Sequence, residues 1–183
     1  WLASYPKSGN TWLRSIISSL VYTEDGLFSF KLLNKIPQFP SQKYFKELTN
    51  DFTNIHEIKK LWIAAQNKIN LDNKIKFFKT HQINCKIDGF NFTNKLNTLA
   101  TIYIVRDPRS LVNSISNHYD KSIEDAKEFL ITPKTQGSSK SIHNLKTGQV
   151  VTLIGNWSEN YKFWKQNNEN FLLIKYENLL DNI

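Results

Sequence analysis

Methionine is absent from the 183 residues, and cysteine occurs once, as Cys85. A single cysteine excludes an intrachain disulfide framework and fits a reducing compartment, so a cytoplasmic location is expected. The four histidines and that one cysteine show no metal-ligand spacing, so no metal is expected. No apolar run approaches the ~20 residues of a membrane span, and no signal peptide is visible. There is no basic run interleaved with aromatics, which argues against nucleic acid as a partner. Glycine and proline are sparse, 6 and 5 residues, and no linker splits the chain, so one domain over 1–183 is expected. Acidic side chains are the minority, 16 against 24 Lys plus Arg, a net charge of +8. That balance favours an anionic partner without naming it.

Against these absences one stretch stands out, Tyr5-Pro6-Lys7-Ser8-Gly9-Asn10-Thr11-Trp12. Before it, Trp1-Leu2-Ala3-Ser4 is short and apolar enough for a buried strand. After it, Trp12, Leu13, Ile16, Ile17, Leu20 and Val21 recur at helical spacing. The stretch is therefore a strand–turn–helix joint. A helix N-terminus presents unpaired N–H groups and attracts phosphate. Gly9 permits close backbone approach, Ser8 and Thr11 supply hydroxyls, and Lys7 adds a full charge. The order differs from G-x-x-x-x-G-K-[ST], because here the lysine precedes the only glycine.

Further along, residues 23–53 carry Phe28, Phe30, Phe39, Tyr44 and Phe45, which suit a core or an acceptor pocket. Residues 54–69 read as a helix and Ile75–Phe78 as a strand ending in Lys79-Thr80-His81. Residues 98–105 form a second buried strand, followed by Arg106-Asp107-Pro108-Arg109, where Asp107 suits an N-cap and Pro108 the first helical position. That helix carries Ser114 and then His118, which is expected to pack. Ser122 opens another helix, and the polar stretch 133–148 is expected to be a long loop. Val150, Ile154, Trp157, Tyr161 and Trp164 predict one amphipathic helix, and Phe171–Ile174 a last strand ending in Lys175-Tyr176. Strands alternating with helices predict an α/β three-layer sandwich, a mostly parallel central sheet with helices on both faces.

Four strand ends thus carry polar groups, and the set, in this order, resembles the sulfotransferases that use 3′-phosphoadenosine 5′-phosphosulfate (PAPS). The Tyr5–Trp12 stretch matches their phosphosulfate loop, Phe78-Lys79-Thr80-His81 their histidine-bearing strand end, and Ile104-Val105-Arg106-Asp107-Pro108-Arg109 through Ser114 their 3′-phosphate motif. Lys175-Tyr176-Glu177-Asn178-Leu179 matches the segment after their late strand. The resemblance covers nearly the whole chain and implies a P-loop nucleotide-binding fold. It also implies PAPS as donor, a small-molecule or carbohydrate acceptor, and room for a homodimer. By the same resemblance Lys7 holds the phosphosulfate, with Ser8, Gly9, Asn10 and Thr11 completing the loop and Trp12 packing on adenine. Arg106 and Ser114 hold the 3′ phosphate, and Tyr176 lies near the adenine. His81 is the general base on an acceptor hydroxyl or amine, and Lys79 supports the transferring group.

The chain departs from the pattern in three places. Asn10 replaces a hydroxyl residue, and Gln82-Ile83 stands where Leu-Pro often follows the histidine. The family's late Arg-Lys-Gly loop would lie beyond Ile183, so the sequence reads as part of a longer chain. Two other readings remain, a nucleotide kinase of similar fold and a non-catalytic nucleotide-binding relative. Two glycosylation sequons, at Asn91 and Asn156, occur at the rate expected by chance in so Asn-rich a chain.

Overall fold

The computed structural model describes residues 1–136 and 148–181. Its central sheet joins β1 (Leu2–Ala3), β2 (Lys79–Thr80), β5 (Thr101–Val105) and β8 (Phe171–Lys175) in the order β2-β1-β5-β8, every pair parallel. The pleat sends alternate side chains to opposite faces. Leu2 and Ile104 meet Leu13 of α1 (Asn10–Tyr22) and Ile36 on one face. On the other, Ala3 and Tyr103 meet Trp62 of α3 (Ile55–Ile69) and Trp164 of α6 (Trp157–Gln166). Both faces are covered by helices, as the alternating pattern predicts. A short 3₁₀ helix (Phe30–Lys35) and α2 (Gln42–Phe45) lie between α1 and α3. A small hairpin, β3 (Lys86–Ile87) with β4 (Phe90–Asn91), precedes β5. Two helices, α4 (Pro108–Tyr119) and α5 (Ile123–Ile131), pack together through Leu111, Ile115, Ala126 and Leu130. The described chain closes on α7 (Tyr176–Asp181).

Three sequence expectations are corrected. The strand expected over Ile75–Phe78 lies at Lys79–Thr80 instead, although the Phe78 carbonyl still accepts from Leu2 N–H at 2.8 Å. The apolar run is the approach to the strand, whose ladder falls on its polar end. The single helix expected over Val150–Trp164 is a strand followed by a helix: β7 (Thr152–Gly155), then α6. Gly155 at φ +69 breaks the run, and Asn156 with Glu159 forms a capping box that starts the helix at Trp157. The stretch expected as loop over 133–148 contains β6 (Lys134–Gln136), paired antiparallel with β7, while 137–147 lie outside the described residues.

In this sheet β1 leads outward to β2 and β5 leads the other way to β8, so a crevice opens beyond the carboxyl ends of β1 and β5. Ligands of open α/β sheets bind at such a switch point. Tyr5–Gly9, His81, Arg106 and Tyr176 all follow strand ends there.

Candidate functional site

The loop after β1 is shaped by two left-handed residues, Lys7 at φ 68 and Gly9 at φ 96. A lysine in this region is strained by ~1–3 kcal/mol, and such strain gathers at ligand sites. Alternating backbone of this kind turns N–H groups into a concave anion cradle. Gly9 is the N-cap of α1 and, having no side chain, leaves the first-turn N–H groups uncapped. A Cβ at Gly9 would stand 2.4 Å from Cδ2 of Tyr176, so that ring packs flush against the loop. Trp12 meets the same ring edge-on at 5.6 Å.

Arg106 also lies over the Tyr176 ring, its guanidinium carbon 4.3 Å from the ring centroid. Nη1 reaches the Lys7 carbonyl at only 3.5 Å, and Nε is buried with no partner. Neither Lys7 nor Arg106 makes an ion pair among the described residues. Arg109, one turn on, is bound to the Asp107 carboxylate, with its side chain 91 % exposed.

His81 is held from behind. Its Nδ1–H donates to the Ser4 carbonyl at 2.7 Å, with the Ser4 hydroxyl at 3.2 Å, which leaves Nε2 as the basic nitrogen. Burial, and then the nearby Lys79 charge, push the imidazole down to about 3. Burial, and then the Arg14 charge, bring Lys79 down to about 8, while its ammonium donates to Gln38 Oε1 at 2.9 Å.

These groups share one cavity of about 560 Å³. Lys7, Lys79 and Arg106 line it together with His81 and Ser114, and among the described residues no carboxylate does. Thr11, Trp12 and Tyr176 line it too. Two expected residues turn elsewhere. The Asn10 amide donates inward, to the Leu2 carbonyl at 3.0 Å and Ser4 Oγ at 3.1 Å, so only its backbone N–H is left for an anion. Ser8 Oγ is buried, with no hydrogen-bond partner among the described residues. Gln82, the departure next to the histidine, is buried and accepts from Leu153 N–H of β7 at 2.8 Å.

The sequence reading did not single out Ser15, His118 or Tyr119, which line the cavity, and it left Phe28 and Phe30 open between core and acceptor pocket. His118 was expected to pack, yet it is exposed and opens onto the cavity. The available signal was its place four residues after Ser114, on the same helical face. Phe39 and Phe45, by contrast, are fully buried core. Cys85 is buried and burial pushes its thiol up to about 11, as befits a packed cysteine. A larger apolar hollow of about 730 Å³ beside α3 holds none of the expected site residues.

Fold and cavity define a P-loop-type α/β protein with a cation-rich pocket that shows no carboxylate among the described residues. The family model for the sulfotransferase domain matches residues 1–183, and the chain belongs to that family. Comparison with curated proteins gives no match. Among solved structures, retinol dehydratase in complex with retinol and PAP is similar, with 20% identity and a TM-score of 0.53, over 99% of this chain and 55% of that one. Retinol dehydratase with androsterone and inactive cofactor PAP gives 18% identity and a TM-score of 0.52, again over 99% and 55%. A mouse sulfotransferase complexed with PAP gives 19% and 0.49, over 99% and 52%. The chain spans about half the length of these structures. At such identity the two retinol dehydratase structures support the fold.

Proposed function

We propose that this protein transfers a sulfuryl group from PAPS to the hydroxyl or amine of a small-molecule or carbohydrate acceptor. The observation that carries the reading is the meeting of Lys7, Lys79, His81 and Arg106 in one cavity without a carboxylate, in a chain of this family. The fit is supported by the uncapped start of α1 and by the buried, partnerless Nε of Arg106. Sulfuryl transfer, like phosphoryl transfer, depends more on positioning and charge stabilisation than on covalent chemistry by the protein.

In this reading Lys7 and the N–H groups of Gly9 to Trp12 hold the 5′ phosphosulfate, and Lys7 stabilises charge on the departing phosphate oxygen. Arg106 and Ser114 hold the 3′ phosphate, while Trp12 and Tyr176 flank the adenine. His81 Nε2 takes the acceptor proton as the acceptor oxygen bonds to sulfur, and the sulfur–oxygen bond to the 5′ phosphate breaks. Lys79 neutralises the sulfuryl oxygens. The free imidazole is neutral at working pH. Donor negative charge would offset the neighbouring cations and raise its basicity. Phe28 and Phe30, with ring centroids 5.3 Å apart, form an acceptor-side wall. A kinase would need a carboxylate for Mg²⁺, and this lining offers none.

Thermal shift separates the readings. At ~100 times its dissociation constant, 3′-phosphoadenosine 5′-phosphate should stabilise the protein by ~2.7 kcal/mol, and more than AMP or ATP at equal concentration. Equal shifts for AMP and the bisphosphate would remove the 3′-phosphate site.

A further inference from the structure

One imidazole in the cavity has no role in the scheme above. His118 lies in the last turn of α4, four residues beyond Ser114, and both side chains open onto the cavity that holds Arg106. Positions i and i+4 of a helix are neighbours with Cβ atoms ~5–6 Å apart, so an anion touched by one is within reach of the other. The packing of α4 does not need this histidine: its buried residues are Leu111 and Ile115. The His118 ring meets Tyr119 edge-on at 4.7 Å, and Tyr119 in turn stacks on Phe129 at 5.2 Å. The ring is thus braced from one side, and neither nitrogen makes a hydrogen bond among the described residues. A solvent-facing donor with no protein partner among the described residues, in a lining that shows no carboxylate, is matched to a phosphate oxygen.

We propose that His118 donates a hydrogen bond to the same 3′ phosphate that Arg106 and Ser114 hold, making recognition of that phosphate a three-side-chain contact. This rests on the donor reading given above.

The test titrates parent, His118→Ala, His118→Gln and the neighbouring Asn117→Ala with 3′-phosphoadenosine 5′-phosphate and with AMP. His118→Ala is expected to weaken the bisphosphate ~10-fold and to leave AMP within about twofold, because only the bisphosphate carries the group touched. His118→Gln keeps an N–H donor and should fall between, and Asn117→Ala should match the parent. Unchanged bisphosphate affinity in His118→Ala, or an equal loss for both nucleotides, overturns the proposal. So does early melting with both affinities reduced, which would make His118 a packing residue on Tyr119. A parent protein that binds the two nucleotides equally overturns the donor reading itself, and this inference with it.

Discussion

Gly9→Ala is the sharpest probe of the site, because two separate penalties can be worked from the structure. The backbone at φ +96 disfavours any Cβ-bearing residue, by ~1–2 kcal/mol. The new methyl would also stand 2.4 Å from Cδ2 and 2.8 Å from Cε2 of Tyr176, with Ile104 Cδ1 at 3.3 Å. Displacing a packed ring adds ~1–3 kcal/mol of overpacking. The sum, ~2–5 kcal/mol, corresponds to a melting temperature lower by about 4–20 °C for a chain of this size. Since Arg106 rests on the same ring at 4.3 Å, affinity for 3′-phosphoadenosine 5′-phosphate should fall at least ~10-fold. The two penalties separate in a double-mutant cycle. Tyr176→Ala should relieve the steric part of Gly9→Ala and leave the backbone part, a coupling of ~0.5–3 kcal/mol. The assays are thermal or urea unfolding of the four proteins and nucleotide titration of Gly9→Ala. Parental stability and affinity in Gly9→Ala, or strict additivity with Tyr176→Ala, would refute the packing of loop, ring and arginine as one stack.

Three other outcomes are expected. Arg106→Ala should weaken the bisphosphate at least ~10-fold in a titration, whereas Arg109→Ala, already bound to Asp107 and facing solvent, should change it little. His81→Ala should lose ~10²-fold or more in turnover with donor affinity retained. It should also lose ~0.5–1.5 kcal/mol of stability with the Ser4 hydrogen bond, while His56→Ala should leave turnover at the parental level. The low pKa of His81 makes stability depend on pH. Its folded value of about 3 lies below the unfolded value of 6.5, so the unfolded chain takes up the proton first. Stability is therefore full above pH 6.5 and declines between 6.5 and 3, by up to ~1.4 kcal/mol per pH unit. Urea unfolding at pH 7 and pH 5 should show this slope in the parent and lose it in His81→Gln. An identical slope in both would place the titrating group elsewhere.

Much of this architecture is legible before any coordinates, and the legible parts share a cause. The turn chemistry of Tyr5–Trp12 and the Asp107-Pro108 helix start are local signals, decided by residues a few positions apart. Strand Thr101–Val105 is apolar because it is covered on both faces, and so it reads plainly. The errors occur where distant contacts decide. Val150 to Trp164 has helical spacing throughout, but pairing with Lys134–Gln136 draws Thr152–Gly155 into a strand. Ile75–Phe78 has strand composition, but β2 forms only where β1 offers a partner, at Lys79–Thr80. The inward turn of Asn10 could not be seen in sequence, because its partners, the Leu2 carbonyl and Ser4 Oγ, become neighbours only when the loop folds back. His118 escaped notice as a site residue, and Phe30 stayed open between core and acceptor pocket, for a related reason. An exposed aromatic or histidine gives no periodic signal, and its meaning comes from the cavity it joins.

The Asn10 amide has a consequence for how such a protein can diversify. It fastens the start of α1 to the Leu2 carbonyl and to Ser4, and Ser4 in turn holds His81. The loop after β1 and the imidazole therefore hang on one frame. In the proposed scheme a mutation that re-aims the base would also disturb the nucleotide, so the reacting geometry resists gradual adjustment. The wall of Phe28 and Phe30 is under no such constraint. It belongs to the segment between α1 and α3, where Phe30 is 81% exposed. In the proposed scheme new acceptors would be sampled there by exchanging surface aromatics while the chemical centre stays fixed.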